Sequence, residues 1–275
     1  MDYNTILLSM ASMGGLGVLF SVGLAIANKK LYVEEDSRIG QISDHLPGAN
    51  CGGCGYPGCG AFAENIVSAK AEISGCPVND EDGAIEIAKI MGVSATIGER
   101  KIARVFCRGG NYETAKKAIY TGIQTCTASN MLGGEKLCND GCLGLGECVD
   151  ACPFDAMFMS DNGLPVVIDD KCTGCGKCAD ACPRDIIEIH SESHKLFVLC
   201  KNHDNPKISR TVCTKSCVGC GICIKNVEEG QIFMDNNLAI IDYDHFGYEA
   251  TLPTDKCPTK GLTIIDKKKE EEIAA

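Results

Sequence analysis

The chain has 275 residues, of which 20 are cysteine, none is tryptophan and 5% are aromatic. So few bulky side chains leave little apolar core, and such chains need disulfides, metals or an anchor to stay folded. The formal net charge of -11 is the opposite of the basic surface that nucleic acid requires, so a nucleic-acid partner is excluded.

The first predicted element is a membrane-spanning helix at residues 6–27, a run without a charged residue. At about 1.5 Å per residue, a helix of this length crosses a hydrocarbon core of about 30 Å. A signal peptide is the alternative, but signal peptides have a basic N-terminal region and a shorter apolar stretch. Here Asp2 precedes the run and Lys29 and Lys30 follow it. The positive-inside rule then predicts a single-pass protein of the bacterial inner membrane with its cysteines on the cytoplasmic side.

Small residues recur at four-residue spacing in this predicted anchor: Ala11 and Gly15, Gly17 and Ser21, Gly23 and Ala27. Such spacing lets helix backbones approach closely in lipid, so it predicts packing against partner subunits. A lone tether is the alternative.

A four-cysteine module is predicted next, over residues 31–98, beginning with a linker of charged and turn-forming residues at about 31–45. Apolar spacing predicts helices over 60–73 and 81–91, with Pro77 breaking the chain between them. The candidate ligands are Cys51, Cys54, Cys59 and Cys76. Half of their CGGCGYPGCG loop is glycine, as expected where backbone wraps a large inorganic core, so this module is predicted to carry one [4Fe-4S] cluster alone.

A multi-cluster region is predicted over residues 99–265, followed by a charged, frayed tail at 266–275. Short β-prone pieces, at Pro165–Ile168, Ile186–Ile189 and Leu238–Asp242, alternate with cysteine-rich turns. The predicted fold class is α+β: a single N-terminal transmembrane helix, a small helical [4Fe-4S] module, then a bacterial ferredoxin-like polycluster region.

The strongest motif is Cys172-x2-Cys175-x2-Cys178-x3-Cys182-Pro183, the bacterial ferredoxin run, in which three cysteines bind one cluster and the fourth reaches a second. A stretched version precedes it: Cys138-x3-Cys142-x5-Cys148-x3-Cys152-Pro153. The crossed pattern predicts one cluster on Cys138, Cys142, Cys148 and Cys182, and another on Cys152, Cys172, Cys175 and Cys178.

A third triplet, Cys217-x2-Cys220-x2-Cys223, lacks the fourth cysteine because Val227 stands where Cys-Pro would begin. The remote Cys257-Pro258 supplies the missing partner, so a cluster is predicted on Cys217, Cys220, Cys223 and Cys257.

Four cysteines remain: Cys107, Cys126, Cys200 and Cys213. They lie in parallel settings, ARVFC and LFVLC each followed by a later cysteine, and this loose internal repeat predicts a further cluster shared by the two pairs. Buried free thiols, which pack as small hydrophobes, are the alternative. Five groups of four account for all 20 cysteines, so five [4Fe-4S] clusters are expected, and at least three.

Disulfides and zinc are the other interpretations of so many cysteines. An even count in an exported chain normally implies a disulfide framework, but tight C-x2-C-x2-C runs suit metal better. Zinc ribbons pair two C-x2-C knuckles, which gives no reason for a third cysteine followed by Cys-Pro.

Other residues carry weaker signals. The five histidines (His45, His190, His194, His203 and His245) are scattered, which favours surface or structural roles. No dinucleotide or P-loop motif is present, and no catalytic residue is predicted. The basic positions Arg100, Lys101, Arg104 and Arg108 could dock an acidic carrier protein, with a solvated helix face as the alternative.

The order of anchor, CGGCGYPGCG module and polyferredoxin region resembles the B subunits (RnfB) of Rnf complexes. The resemblance covers nearly the whole chain and is most specific at Cys51, Cys54, Cys59 and Cys76 and over residues 172–182. It implies the electron-transfer subunit of a translocase, without a catalytic site of its own. The subunit accepts electrons from reduced ferredoxin, and the complex couples their transfer to NAD+ to movement of Na+ or H+. The departures at Val227 and in the stretched run bear on the number of clusters.

Three rival functions remain open at this point. An electron-transfer subunit of another membrane hydrogenase or dehydrogenase would use the same clusters with other partners. A redox sensor needs only one labile cluster, so five count against it. An enzyme acting alone would need an open iron site or a flavin pocket.

Overall fold

The computed structural model describes residues 3–31, 36–94, 98–246 and 253–265. The helices are α1 (Tyr3–Leu31), α2 (Ser37–Asp44), α3 (Cys59–Val67), α4 (Glu81–Met91), α5 (Cys126–Met131), α6 (Glu147–Asp150), α7 (Lys177–Asp180) and α8 (Pro206–Val212). The strands are β1 (Lys101–Val105), β2 (Met157–Met159), β3 (Pro165–Val167), β4 (Ile187–Ser191), β5 (Leu196–Val198), β6 (Ile232–Asp235), β7 (Leu238–Ile241) and β8 (Leu262–Ile264). This mixture of helix and strand confirms the predicted α+β class. The predicted tail at 266–275 lies outside the described residues.

Helix α1 is long and apolar enough to cross a membrane. Its stretch Leu7–Lys30 has 24 residues and a mean hydropathy of 1.8, and none of this stretch is buried against the rest of the chain. Lys29 and Lys30 lie in the last turn, where a positive charge interacts favourably with the helix dipole.

Three helices form the cysteine module around a small apolar core. Ile42 of α2, Phe62 and Ile66 of α3 and Ile87 of α4 are fully buried there. The sequence predicts a linker at about 31–45, but Ser37–Asp44 of this segment form helix α2, so the prediction is wrong there. The side chain of Asp36 caps that helix by accepting from the Arg38 N–H at 2.9 Å.

The two helices predicted in this module are present. The prediction over 81–91 matches α4, whereas the helix predicted over 60–73 ends at Val67. Ala69 takes a left-handed φ of 55°, and the N–H groups of Lys70 and Ala71 both donate to the carbonyl of Asn65. This turn ends α3 and directs the chain towards Cys76.

The rest of the described chain consists of two ferredoxin-like repeats. In the first repeat (residues 101–191), β1 pairs antiparallel with β4, and β2 and β3 form a hairpin between them in sequence. The second repeat (residues 196–264) has the same order, with β5 paired to β8 and a β6–β7 hairpin inside. Each repeat has its own core, and Phe106, Phe197, Leu199 and Ile265 form a smaller cluster between them.

The strands keep a fixed distance from the Cys-Pro steps. Strands β2, β4 and β8 each begin five residues after a Cys-Pro cysteine, namely Cys152, Cys182 and Cys257. Asp155, Asp185 and Lys260, three residues after those cysteines, have left-handed φ values of 48°, 49° and 55°. The Val227 segment keeps the same turn, because Gly230 has φ 91° and β6 begins at Ile232. The second repeat therefore retains the backbone of a cluster-binding run where one ligand is replaced by valine.

Candidate metal centres

All 20 cysteines lie in the described part of the chain as free thiols. Shared cavities, core contacts and mutual effects on thiol pKa place them in five groups of four. We define set 1 as Cys51, Cys54, Cys59 and Cys76; set 2 as Cys152, Cys172, Cys175 and Cys178; set 3 as Cys126, Cys142, Cys148 and Cys182; set 4 as Cys107, Cys138, Cys200 and Cys213; and set 5 as Cys217, Cys220, Cys223 and Cys257.

Set 1 lies at the start of α3, against the core of the helical module. Cys54, Cys59 and Cys76 all pack on that core. Asn50 accepts from the Cys59 N–H at 2.9 Å, which holds the glycine-rich loop onto the helix. Burial raises the pKa of the Cys76 thiol, and the nearby Cys54 and Cys51 raise it further. The structure thus brings the four predicted residues of this module together.

Set 2 joins the second ferredoxin run to the end of the first. Burial raises the pKa of Cys178 to about 12, with Cys172 and Cys175 as the next causes. Cys152 contributes in the same sense to the raised pKa of Cys175. This grouping agrees with the crossed pattern that the sequence predicts.

Set 3 differs from the sequence prediction, which places Cys138 with Cys142, Cys148 and Cys182. One cavity is lined by these last three cysteines and by Cys126 instead. Burial raises the pKa of Cys148 to about 12, and Cys126 and Cys182 are the next causes. The structure thus places Cys126, and not Cys138, beside these three cysteines, because α5 folds back over the first run, which spacing along the chain does not reveal.

Set 4 contains the displaced Cys138. A second cavity is lined by Cys107, Cys138, Cys200 and Cys213. Burial raises the pKa of Cys138 to about 11, and the Cys107 and Cys213 thiols add to that rise. The predicted group of Cys107, Cys126, Cys200 and Cys213 is therefore corrected at one position.

Set 5 gathers the third triplet and the remote cysteine as predicted. One cavity is lined by Cys217, Cys220, Cys223 and Cys257, together with apolar side chains that include Ile222 and Met234. Burial raises the pKa of Cys223 to about 11. Of the 20 cysteines, Cys220 alone is exposed.

The surroundings of the thiols fit thiolate ligands of a cluster. Main-chain N–H groups point at sulfur: Ala103 at Cys172 (3.4 Å), Ala156 at Cys152 (3.4 Å), Cys142 at Cys107 (3.3 Å), Asn202 at Cys200 (3.5 Å) and Lys215 at Cys213 (3.4 Å). A Cβ added at Gly109 would lie 3.0 Å from the Cys213 sulfur, so glycine keeps that approach open. Such N–H groups help to set the reduction potential of an iron–sulfur cluster.

The raised pKa values indicate that these buried thiols stay protonated unless a positive group, such as a metal, stabilises the thiolate. Burial raises the pKa of Cys142 and of Cys200 to about 12, because a thiolate loses its hydration inside the protein. A bound metal reverses that preference, since a coordinating thiol is deprotonated outright. Within the described residues, no three Cys, His, Asp or Glu side chains converge as one shared ion would require. Sulfurs that bind separate irons of one cluster stand further apart.

The basic candidates for carrier docking are placed differently. Arg104 lies on strand β1, not on a helix face, and it is buried in an ion pair whose Nη2 to Asp169 Oδ2 distance is 2.7 Å. Arg100 donates to the Cys172 carbonyl at 3.0 Å, and Arg108 to the Lys260 carbonyl at 2.8 Å. These guanidinium groups hold the fold together.

Two histidines belong to an aromatic cluster between the repeats, which sequence spacing does not reveal. The His194 ring stacks on Tyr243 with centroids 4.1 Å apart and an interplanar angle of 5°. His190 lies 3.3 Å from His194 between their Nδ1 atoms, and 5.3 Å from Phe197 between ring centroids. Both histidines thus have structural roles, as the sequence predicts.

Five sets of four thiols on a module and two ferredoxin-like repeats define an iron–sulfur electron-transfer protein of the polyferredoxin class. Two family models agree with this class: one, described as an Fe-S cluster, matches residues 46–78, and a 4Fe-4S dicluster domain matches residues 137–187.

The chain is similar over most of its length to B subunits of ion-translocating complexes. It is 44% identical over 258 residues to the B subunit of the Na+-translocating ferredoxin:NAD+ oxidoreductase complex of Acetobacterium woodii, covering 93% of this chain and 77% of the relative. It is 40% identical to the B subunit of the ion-translocating oxidoreductase complex of Methanosarcina acetivorans (86% and 90% covered). It is 38% identical to the B subunit of the proton-translocating ferredoxin:NAD+ oxidoreductase complex of Clostridium ljungdahlii (95% and 93% covered).

The chain therefore belongs to the B-subunit family of the Rnf-type ion-translocating oxidoreductase complexes. This membership confirms the resemblance seen in the sequence, and it favours an Rnf-type complex over another membrane hydrogenase or dehydrogenase.

Proposed function

We propose that this protein accepts electrons from reduced ferredoxin and passes them towards membrane subunits of an Rnf-type complex. When bound to the five thiol sets, [4Fe-4S] clusters would supply one-electron carriers. The complex as a whole would couple ferredoxin oxidation and NAD+ reduction to movement of Na+ or H+. The activities of two related complexes support this proposal, since both are ferredoxin:NAD+ oxidoreductases, one Na+-translocating and the other proton-translocating.

One observation carries the proposal: the five thiol sets adjoin one another in a single series. Set 1 meets set 2 where Gly53 packs on Cys175, because a Cβ at Gly53 would lie 2.8 Å from the Cys175 carbonyl oxygen. Set 2 meets set 3 at the helices of Cys148 and Cys178. Cys148 of set 3 lies in α6, and the next cysteine along the chain, Cys152, belongs to set 2. Cys178 of set 2 lies in α7, and the next cysteine, Cys182, belongs to set 3.

The series continues across the two repeats. Set 3 meets set 4 where the Cys142 N–H donates to the Cys107 sulfur at 3.3 Å. Set 4 meets set 5 where the main-chain N–H of Cys217 faces the Cys200 thiol. This N–H lowers the pKa of Cys200, whereas burial raises it by more. Each set thus has a neighbour within direct side-chain or main-chain contact, and the ends of the series are set 1 and set 5.

The set 5 end suits a soluble electron donor. Cys220 is exposed, and Ile222 and Met234 beside it are each 37% exposed. Lys225 and Lys260 are exposed on the segments that carry Cys223 and Cys257. An apolar rim with nearby positive charge suits an acidic carrier protein, because opposite charges steer the encounter.

The set 1 end lies closest in sequence to the anchor, so we propose it as the exit towards the membrane. The two lysines at the end of α1 support a cytoplasmic position for the cysteine-bearing region. The unburied faces of α1 support packing against other subunits of the complex. Protease protection in sealed, oriented vesicles tests this sidedness, and cleavage of the cysteine module from the outer face of the cell membrane would contradict it.

The experiment that tests the direction of transfer uses Cys54→Ala in the assembled complex. Reduced ferredoxin should still deliver electrons to sets 2 to 5, while NAD+ reduction is lost. The matched control is Lys70→Glu, an exposed change in the same module. Unchanged NAD+ reduction by the Cys54→Ala complex would contradict set 1 as the exit.

A separate experiment tests the donor face. Lys225→Glu combined with Lys260→Glu should slow the reduction of the chain by ferredoxin, with the larger effect at low salt, because steering by surface charge is screened by ions. Dithionite reduction should be unaffected. If ferredoxin reduces this variant and Lys70→Glu at equal rates, the donor binds elsewhere.

A further inference from the structure

Three loops of the chain share one backbone conformation, and one of them lacks its central cysteine. Left-handed glycines flank the central residue of each loop: Gly144 and Gly146 (φ 79° and 82°) around Leu145, Gly174 and Gly176 (67° and 82°) around Cys175, and Gly219 and Gly221 (57° and 67°) around Cys220. Leu145 therefore occupies the position at which the other loops present a ligand. The first run is a C-x2-C-x2-C run with leucine at its centre.

Cys126 is in place to supply that missing ligand. It begins α5 with 8% exposure and lines the cavity of Cys142, Cys148 and Cys182. Glu147 of the same run fixes the start of α5, since its Oε2 accepts from the N–H (2.9 Å) and hydroxyl (3.0 Å) of Thr127. A residue outside the run thus completes its set of four thiols.

With that set complete, Cys138 is available to another site. The motif Cys138-x3-Cys142 recurs in the second repeat as Cys213-x3-Cys217. Likewise, Cys107 and Cys200 each stand two residues after the first strand of their repeat. Each repeat therefore contributes the same pair of positions to set 4.

The main chain brings the two pairs together. Segment 113–117 lies between the repeats, with the Ala115 N–H donating to the Val212 carbonyl (3.0 Å) and the Leu137 N–H donating to the Ala115 carbonyl (2.7 Å). This segment joins the residue before Cys138 to the residue before Cys213. Cys138 and Cys213 therefore face one cavity, together with Cys107 and Cys200.

The cavity also has the surroundings of a cluster site. Lys136 is 6% exposed and donates from Nζ to the Gly109 carbonyl at 2.8 Å, so a buried positive charge lies next to the thiols. A Cβ at Gly141 would lie 3.3 Å from the Cys138 sulfur and 3.9 Å from the Cys107 sulfur. The buried charge favours anionic thiolates, and glycine leaves room for what they bind.

We propose that the two repeats share one [4Fe-4S] cluster, held by Cys107 and Cys138 from the first repeat and by Cys200 and Cys213 from the second. Cys126 takes over the ligand position of Leu145 and so frees Cys138 for this shared site. The place of the shared cluster in an electron path rests on the proposed function, whereas its ligand set does not.

Paired cysteine replacements test the grouping in the full-length, anaerobically purified chain. Iron and acid-labile sulfide are counted beside the EPR spectrum of the reduced protein. Cys138→Ala and Cys213→Ala should each remove about four irons, and the double variant should remove the same four, because both cysteines hold one [4Fe-4S] cluster. Cys126→Ala combined with Cys138→Ala should remove about eight, from two clusters. The grouping predicted from spacing gives a contrary result, in which Cys126→Ala and Cys213→Ala remove the same four.

A rescue variant separates loss of a ligand from loss of folding. Leu145→Cys should restore the iron lost in Cys126→Ala, since it recreates the C-x2-C-x2-C run, but it should not restore the iron lost in Cys138→Ala. The matched control is Leu132→Cys in the Cys126→Ala background, which places a thiol at an exposed leucine directly after α5, outside the cavity of Cys142, Cys148 and Cys182, and should restore nothing. Failure of Leu145→Cys to return iron to Cys126→Ala would overturn the exchange of Cys126 for Cys138.

The proposed function can fail separately from this inference. If Cys138→Ala and Cys213→Ala leave the iron content unchanged, the shared cluster does not exist, and ferredoxin oxidation by the other sets is unaffected by that result. If all five clusters are present but none is reduced by ferredoxin, the proposed function fails while the ligand set stands.

Discussion

Arg184 donates from its Nη1 atom to the main-chain carbonyl of Cys138 at 3.1 Å. The same side chain donates from Nε to Asn130 Oδ1 at 2.9 Å and from Nη2 to the Gly133 carbonyl at 3.0 Å. One guanidinium group therefore ties the segment that follows Cys126 to the segment that carries Cys138. Its planar fork suits this task, since it presents several donors in fixed directions.

Arg184→Met should loosen set 3 and set 4 together. Methionine keeps much of the apolar stem but none of the donors, so the carbonyl groups of Cys138 and Gly141 lose the arginine donor, and the Gly133 carbonyl keeps only the Lys117 donor. We expect loss of up to about eight irons per chain, those of two [4Fe-4S] clusters, measured with sulfide after anaerobic purification. Arg210→Met, an exposed change on α8, is the control and should retain all iron. Full iron content in Arg184→Met would show that the cysteine segments hold their positions without it.

Lys136→Met should lower the reduction potential of a cluster in set 4. The lysine is buried beside Cys107 and favours the more negative, reduced state of any group bound there. Removing one nearby charge should make the potential more negative by on the order of 50 mV, since about 59 mV corresponds to a tenfold change in a one-electron equilibrium.

An EPR-monitored redox titration measures that shift. Lys117→Met, at a lysine that donates to the Gly133 carbonyl on an exposed loop, is the control. A potential that moves equally in both variants would argue against a specific effect of Lys136.

Arg104→Met should destabilise the first repeat strongly. It leaves Asp169, which is 8% exposed, as a buried charge without its ion-pair partner. Breaking a buried pair from one side costs about 3–5 kcal/mol, whereas replacing both partners by apolar side chains is often neutral. Arg104→Met combined with Asp169→Leu should therefore recover most of the loss. The measurement is the denaturant concentration at which the visible absorbance of the clusters bleaches, and a double variant as weak as the single one would contradict the argument.

The aromatic cluster between the repeats should make stability depend on pH. Burial lowers the pKa of His194 from its ordinary value of 6.5, and the neighbouring His190 lowers it further, while Glu99 and Asp244 act in the opposite sense. The folded chain then binds this proton less readily than the unfolded chain. This contribution to stability is therefore complete above pH 6.5 and is lost as the pH falls below it.

His194→Phe should weaken that dependence. Phenylalanine keeps a ring to stack on Tyr243 and does not titrate. Thermal bleaching of the clusters, followed from neutral to mildly acidic pH, should change less in this variant than in the native chain. His203→Phe, at an exposed histidine, controls for acid lability of the clusters themselves. Identical pH profiles for all three proteins would mean that His194 contributes nothing to the pH dependence of stability.

Much of the site could be predicted because short-range spacing decides it. Cys172 and Cys175 lie on one tight loop that leads directly into α7 with Cys178, and the Cys-Pro step at Cys182 fixes a turn before β4. The helix at Glu81–Met91 follows from its apolar spacing and its Asp80 cap, whose side chain accepts from the Gly83 N–H. Helix α2 was missed because its apolar face consists of only a few residues that include Ile39 and Ile42.

The sequence by itself determined the kind of protein: an apolar helix, a four-cysteine module and ferredoxin runs are all local patterns, whose residues meet within a turn or two of chain. Only the tertiary structure decided which cysteines share a site across longer distances. Cys126 and Cys138 are both plausible partners for Cys142 by spacing, and the choice depends on α5 folding over the first run and on segment 113–117 pairing with both repeats. Those contacts join residues far apart in sequence, and they depend on packing between elements, which no local pattern records.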